Sequence, residues 1–384
     1  METDMNPTDA KTSLLTRLKG QTLQIPDLLP LFSSWPTLNA INPLHDQLEP
    51  FIASKISTLI DDQRVLQGIL KGDAGLWVAG LFPLASYETL TLFTTYTIFL
   101  FLWDDSIDGS SSPSALSSSS SACTRAFSDA ETYCCQSLDF IKYHLLHAVP
   151  DRNTSAEQEP LAPTKVCETF KQVAERLKAE CNPSSTELEA LSESLKEYVE
   201  ACLAEYRWRT ERQGEMPTLR EFWDWRLGTS SVGVMCWFER VLNGVELPRK
   251  MKEWEEVKGM EVEVNRGLVI INELFSLKKE LKDGALGNLI PVTMHEFGLN
   301  LDEATKRVVQ ELGESVKGFD KDAAALLKRA QSETEHGDVM MDVVGKLTEA
   351  YRAIVTGTLH FSMRSSRYGL LKDRKEDGSF EVEL

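Results

Sequence analysis

The sequence predicts an all-α protein built as one domain. Three observations carry this. Runs that alternate apolar and polar residues, the period of a half-buried strand, are scarce. Glycine and proline fall mostly between periodic segments, where they end helices. The chain of 384 residues is 42% hydrophobic and shows no repeat and no linker, so it can bury one large core.

Taken in order, residues 1–20 are polar and are expected to be flexible. Residues 21–47 hold Pro26, Pro30, Pro36 and Pro43 and read as an extended strap. Helical signals dominate from Leu48 to Gly109. A Ser-rich stretch of low complexity, 110–122, then reads as a loop, as does 148–164, with a helix between them from about Thr124 to His147. Further helices are expected at about Lys165–Glu180, Ser185–Arg212, Leu219–Leu242, Trp254–Lys282, Asn288–Phe297, Leu301–Glu333 and Val339–Tyr368. One domain therefore spans 21–368. The tail, 369–384, is polar and is expected to be disordered or a loose cap.

Charge narrows the partners. Lys and Arg total 41 against 59 Asp and Glu, a net charge of −18. A surface this acidic repels nucleic acid and anionic membrane. The apolar run Ile98–Trp103 is far shorter than the ~20 residues of a membrane span, and the first residues lack a charged-then-apolar signal pattern. Seven Cys lack metal-finger spacing, and the six His show no zinc pattern. A reducing, cytoplasmic setting is expected.

The chemistry concentrates in two runs. In IINELFSLKKE, Asn272, Ser276 and Glu280 are four residues apart. A helix turns about 100° per residue, so an amide oxygen, a hydroxyl and a carboxylate share one face. Hard oxygen ligands of this kind suit Mg²⁺, and a solvated polar stripe would also account for the triplet taken alone. In FLFLWDDSIDG, Asp104, Asp105 and Asp108 follow a segment apolar all round, as in a buried helix. Three carboxylates there repel one another unless cations lie between them. Two oxygen-ligand clusters on two helices point to a multi-metal site that grips a pyrophosphate. Arg226, Lys279, Arg367 and Tyr368 supply donors for phosphate oxygens.

Together these residues make the chain resemble the class I terpene synthases, in particular the fungal sesquiterpene cyclases, from about Ile25 to Tyr368. DDSID at Asp104–Asp108 looks like the aspartate-rich motif, NELFSLKKE at Asn272–Glu280 like the second metal motif, and Arg367–Tyr368 like the C-terminal Arg-Tyr pair. Arg226 stands 46 residues before Asn272, where the family places its pyrophosphate-sensing Arg. The joint order and spacing make the match specific.

The resemblance implies a helical bundle around a central cavity and a reaction. Three Mg²⁺ ions would bind the diphosphate of farnesyl diphosphate. Asp104, assisted by Asp105 or Asp108, would hold two, and Asn272, Ser276 and Glu280 the third. Arg226, Lys279, Arg367 and Tyr368 would hydrogen-bond the diphosphate. Ionisation would give an allyl cation that cyclises to a sesquiterpene hydrocarbon or alcohol in a dry, aromatic-lined cavity. Phe101 and Phe361 are expected to line it; Trp77, Phe82, Tyr96 and Trp237 are further candidates that ordinary core packing explains as well. The protein would be a monomer or homodimer.

Four departures from the family pattern stand out. Glu273 replaces a frequent Asp and is not expected to be a ligand. Phe361 stands where Trp is frequent. Ser230 stands where many relatives have Gly at a helix break. The aspartate-rich motif lacks the further acidic residues of some relatives. Chain-elongating prenyltransferases need two aspartate-rich motifs, and this chain has one. A cyclase of geranylgeranyl diphosphate and a non-catalytic helical scaffold are the alternatives.

Overall fold

The computed structural model describes residues 7–36, 41–61, 63–109, 120–147, 159–212, 214–333 and 337–384. Helix α1 (Pro7–Leu18) precedes strand β1 (Thr22–Ile25) and a 3₁₀ turn at Leu29–Phe32. Then come α2 (His45–Ser57), α3 (Gln63–Leu70), α4 (Ala74–Leu81) and α5 (Tyr87–Gly109). Helices α6 (Ser120–Leu146), α7 (Lys165–Glu180), α8 (Ser185–Glu211), α9 (Leu219–Thr229) and α10 (Val232–Leu242) follow. The rest is α11 (Arg249–Lys252), α12 (Glu255–Lys282), α13 (Leu289–Phe297), α14 (Leu301–Ser332), α15 (Gly337–Arg364) and β2 (Phe380–Glu383).

Helix starts follow from local chemistry. Thr164 and Ser184 accept hydrogen bonds from Cys167 N and Glu187 N, satisfying donors that the first turn leaves open. Thr218 with Glu221, and Asn300 with Glu303, form reciprocal capping boxes at α9 and α14. Gly298, at φ +65°, ends α13 in the left-handed conformation that glycine tolerates.

Helix α5 is the hub. It packs on α2, α4, α7 and α8, so nearly every residue from Leu90 to Trp103 is buried. Trp103 is fully buried, stacks on Tyr133 and donates from Nε1 to Ser137 Oγ at 3.0 Å. Burying each large apolar side chain in this helix is worth roughly 1.5–3 kcal/mol. On the other side, α12, α14 and α15 pack on one another, and α15 packs on α4. There Gly357 meets Gly80: a Cβ on Gly357 would lie 2.5 Å from the Gly80 carbonyl carbon. Only glycine allows that approach. It brings Trp77 of α4 and Phe361 of α15 to one wall, ring centroids 6.5 Å apart.

Several expectations need correction. Residues 7–18 are helical, with Leu14 and Leu18 buried. The span Leu219–Leu242 breaks after Thr229, because Ser231 adopts φ +57°. Helix α15 stops at Arg364, so Arg367 and Tyr368 lie beyond it. The tail is ordered. Strand β2 pairs antiparallel with β1, Thr22 opposite Glu383 and Ile25 opposite Phe380. Phe380 and Val382 are buried because alternate residues of a strand face the core. Phe380 meets Phe275 of α12 edge to face, centroids 5.3 Å apart. Helix α6 begins at Ser120, inside the expected Ser-rich loop; the remainder of that loop, 110–119, and most of the loop 148–164 lie outside the described residues. Among the described residues no helix is long and apolar enough to cross a membrane.

Candidate active site

One cavity takes a residue from each of the two motifs; Asp105, Ser276, Lys279 and Glu280 are not among its lining residues. Asp104 of α5 and Asn272 of α12 both line it, with Arg226 from α9 and Arg367 and Tyr368 from the loop after α15. Its apolar wall is Trp77, Leu100, Phe101, Leu268 and Phe361. Trp77 and Phe101 stack with centroids 5.6 Å apart, and the Arg367 guanidinium lies 5.8 Å from the Phe101 ring, within cation–π reach. Charged and aromatic groups thus share one pocket. The pocket also carries hydroxyls, from Thr229, Ser230, Ser231 and Thr358.

Tyr96 and Trp237 are not among the lining residues. Tyr96 is buried one layer behind, its hydroxyl 3.1 Å from Ser231 Oγ. Trp237 is turned towards α8, donating from Nε1 to the Glu187 carbonyl at 2.9 Å. Phe82 is core, edge to face with Phe93. Phe101, Phe361 and Trp77 do line the cavity.

The acidic helix end is held from α8. The Tyr198 hydroxyl donates to Asp104 Oδ1 at 3.2 Å, and Cys202 Sγ lies 3.8 Å from the same oxygen. Burial, and then the Asp104 charge, push the Tyr198 phenol well above its ordinary pKa, so it remains a donor. Asp105 is exposed. Asp108 falls in the last turn of α5, and its side chain lies outside the described residues.

On α12, Arg226 is gripped by two neighbours. Its Nε donates to Glu273 Oε1 at 2.8 Å and its Nη2 to Asn272 Oδ1 at 2.9 Å. Glu273 is buried and accepts a further hydrogen bond from Leu289 N at 3.0 Å. Burial alone would lower the Arg226 pKa; the Glu273 charge more than offsets it. Burial in turn raises the Glu273 carboxyl, and Arg226 pulls it back. The Asn272 amide completes the chain by donating from Nδ2 to the Tyr368 hydroxyl at 2.8 Å. Further along α12, Ser276 is buried, and Ser276 Oγ and Glu280 Oε2 lie 3.4 and 3.0 Å from one atom, Asn288 Nδ2. Desolvation and the Arg367 charge lower the Lys279 ammonium, while Asp283, Glu280 and Asp105 act the other way. The reach of Asp105 to Lys279 links the α5 cluster to α12 electrostatically.

Glu273 and Asn288 are the residues that sequence reasoning missed. A carboxylate inside the apolar run IINELF was a signal for Glu273, since a buried charge needs a partner. Asn288 reads only as a helix start. The break at Ser230 and Ser231 is tied to α12 as well: Asn265 Nδ2 donates to the Leu227 carbonyl at 2.8 Å, and Ser230 Oγ lies 2.8 Å from Asn265 Oδ1.

The donor set is hard oxygen throughout: carboxylates of Asp104, Asp105 and Glu280, the Asn272 amide and the Ser276 hydroxyl. It fits a divalent cation such as Mg²⁺ and offers no soft ligand for a thiophilic metal beyond the thiol of Cys202.

The profile described as terpene synthase family 2, C-terminal metal binding, matches residues 95–318, more than half of the chain. The chain is a class I terpene synthase. The synthase is 25% identical over 370 residues to sesquiterpene cyclase hepA of Aspergillus oryzae, spanning 95% of this chain and 93% of that protein. It is 22% identical over 384 residues to terpene cyclase braA of Annulohypoxylon truncatum, spanning 99% and 94%. Its fold matches that of linalool/nerolidol synthase from Streptomyces clavuligerus in complex with 2-fluorogeranyl diphosphate. That match has a TM-score of 0.67 at 19% identity and covers 86% of this chain and 98% of the other. The synthase is thus an all-α enzyme of the lyase class, and its matched segment, described as metal-binding, contains both motifs.

Proposed function

We propose that this synthase is a Mg²⁺-dependent sesquiterpene cyclase. It would ionise farnesyl diphosphate, cyclise the carbocation and release diphosphate. The observation that carries this reading is that Asp104 and Asn272, from separate helices, line one cavity together with Trp77, Phe101 and Phe361. The name of hepA, a sesquiterpene cyclase, supports a fifteen-carbon substrate.

Asp104, Asp105 and Asp108 on one side, and Asn272, Ser276 and Glu280 on the other, would hold three Mg²⁺ ions. Bound magnesium supplies positive charge to the diphosphate as a leaving group. Arg226, Lys279, Arg367 and Tyr368 bind and orient the diphosphate through charge-assisted hydrogen bonds aimed at its oxygens. Arg226 can do so with guanidinium hydrogens that Glu273 and Asn272 do not use. Trp77, Phe101 and Phe361 fold the chain and face the cation with their negative π surfaces. The close packing of α4 on α15 excludes water from behind that wall.

Incubation of the protein with geranyl, farnesyl and geranylgeranyl diphosphates and Mg²⁺, followed by gas chromatography–mass spectrometry of the extract, tests the reading. A cyclic fifteen-carbon product from farnesyl diphosphate, lost on chelation, is expected. No product from any of the three, or a product only from the twenty-carbon substrate, would refute it.

A further inference from the structure

Asn288 is 0% exposed at the turn between α12 and α13. Its oxygen caps α13, accepting from Ile290 N at 2.9 Å. A cap needs only that oxygen, and Ser or Asp would serve as well. The amide nitrogen faces α12 instead. One hydrogen suits the Glu273 carbonyl at 2.9 Å, which fixes the amide plane against the α12 backbone. The other suits Glu280 Oε2 at 3.0 Å, with Ser276 Oγ at 3.4 Å beside it.

We infer that Asn288 is a positioning residue for the oxygen donors of α12, holding Glu280 and Ser276 in their cation-ready arrangement. This rests on reading Asn272, Ser276 and Glu280 as a cation site. A Glu side chain free in solvent loses rotamer freedom when it captures an ion. Asn288 occupies one carboxylate oxygen beforehand, so that part of the ordering is complete before the ion arrives, and the second oxygen remains as a ligand. Hydrogen-bond partners of metal ligands are worth roughly 10–100-fold in metal affinity. The amide also suits the site electrostatically. It donates without adding a third carboxylate beside Glu273 and Glu280.

Two variants of the full chain separate capping from positioning. Asn288→Ser keeps a cap oxygen and is too short to reach Glu280. Asn288→Asp is isosteric and cap-competent, and replaces the donor by a negative charge. Each is melted alone and then with inorganic pyrophosphate and increasing Mg²⁺. Its Mg²⁺ half-saturation for turnover is measured separately. Asn288→Ser loses the contacts to the Glu273 carbonyl and to Glu280, so it is expected to melt below the parent without ligands. It should require roughly 10–100-fold more Mg²⁺ for the same pyrophosphate-dependent stabilisation, with turnover recovering at high Mg²⁺. Asn288→Asp, which supplies the same readout should the serine variant not fold, shifts in the same direction. An unchanged Mg²⁺ requirement overturns the inference, whatever happens to ligand-free stability. A parent protein that Mg²⁺ and pyrophosphate do not stabilise overturns the reading of the α12 site itself.

Discussion

The guanidinium of Arg226 lies 2.8 Å from the carboxylate of Glu273, the residue that directly follows the metal-motif Asn272. The same guanidinium reaches Asn272 itself. A diphosphate bound by Arg226, as proposed, would therefore be joined to the end of the α12 triad through one side chain. Glu273 is the fixed point of that lever, since burial and Leu289 N hold it in place.

Replacing Glu273 by Ala should leave the Arg226 charge without its buried partner. Loss of one member of such a pair costs about 3–5 kcal/mol. Denaturant unfolding of the variant checks this; a loss below about 1 kcal/mol would mean that solvent in the cavity compensates Arg226. Glu273→Asp should fall between the two, because the shorter carboxylate cannot keep both Arg226 and Leu289 N.

Glu280→Gln keeps the volume and removes the charge. Turnover should drop by at least about 100-fold, of the order found when a preorganised electrostatic contact is removed. The circular dichroism spectrum should not change. The melting temperature should no longer rise with Mg²⁺ and pyrophosphate, because linkage requires binding. Turnover near that of the parent protein would exclude a cation at this carboxylate.

Phe361 faces the cavity between Trp77 and Tyr368. Phe361→Ala should change the ratio of hydrocarbon products more than it changes diphosphate release, because the ring touches the folded chain and not the leaving group. Gas chromatography and a pyrophosphate assay measure the two separately. An identical product profile would show that the ring does not contact the reacting chain.

His360, on the neighbouring position of α15, is a pH sensor of stability. Burial first, then Arg364 and Arg374, lower its pKa from 6.5 to about 4. The folded state therefore holds the imidazole neutral where the unfolded chain would be protonated. Its contribution is complete above pH 6.5 and is lost as pH falls from 6.5 towards 4, by at most about 3 kcal/mol. Buried carboxylates such as Glu239, whose pKa is raised by burial, act in the opposite sense. The comparison of His360→Gln with the parent isolates the histidine. The gap between their unfolding free energies should narrow or reverse from pH 7 to pH 4, and a gap independent of pH would refute the assignment.

Much of the fold could be read from local signals. The Thr218-x-x-Glu221 pattern and Asn300 with Glu303 start their helices as a capping box predicts. The four-residue steps of Asn272, Ser276 and Glu280 place them on one face, and the apolar run before Asp104 is a buried helix. What escaped the reading depends on distant partners. Glu273 pairs with a guanidinium 47 positions away. Asn288 reads as a cap, and nothing local says that its nitrogen serves Glu280. The tail's charged stretch, KDRKEDG, masked the short period-two alternation of Phe380–Glu383, whose pairing partner is at the other end of the fold. Ser230 and Ser231 offer no breaker by type; the left-handed turn at Ser231 is stabilised by Asn265 from α12.

Strand β2 closes on β1 only after everything between them has been synthesised, and Phe380 then seals the back of Phe275 beside the α12 triad. The pairing of residues 22–25 with 380–383 therefore reaches the α12 triad through one ring contact, and a substitution that unpairs the two strands would withdraw Phe380 from Phe275, the residue next to Ser276.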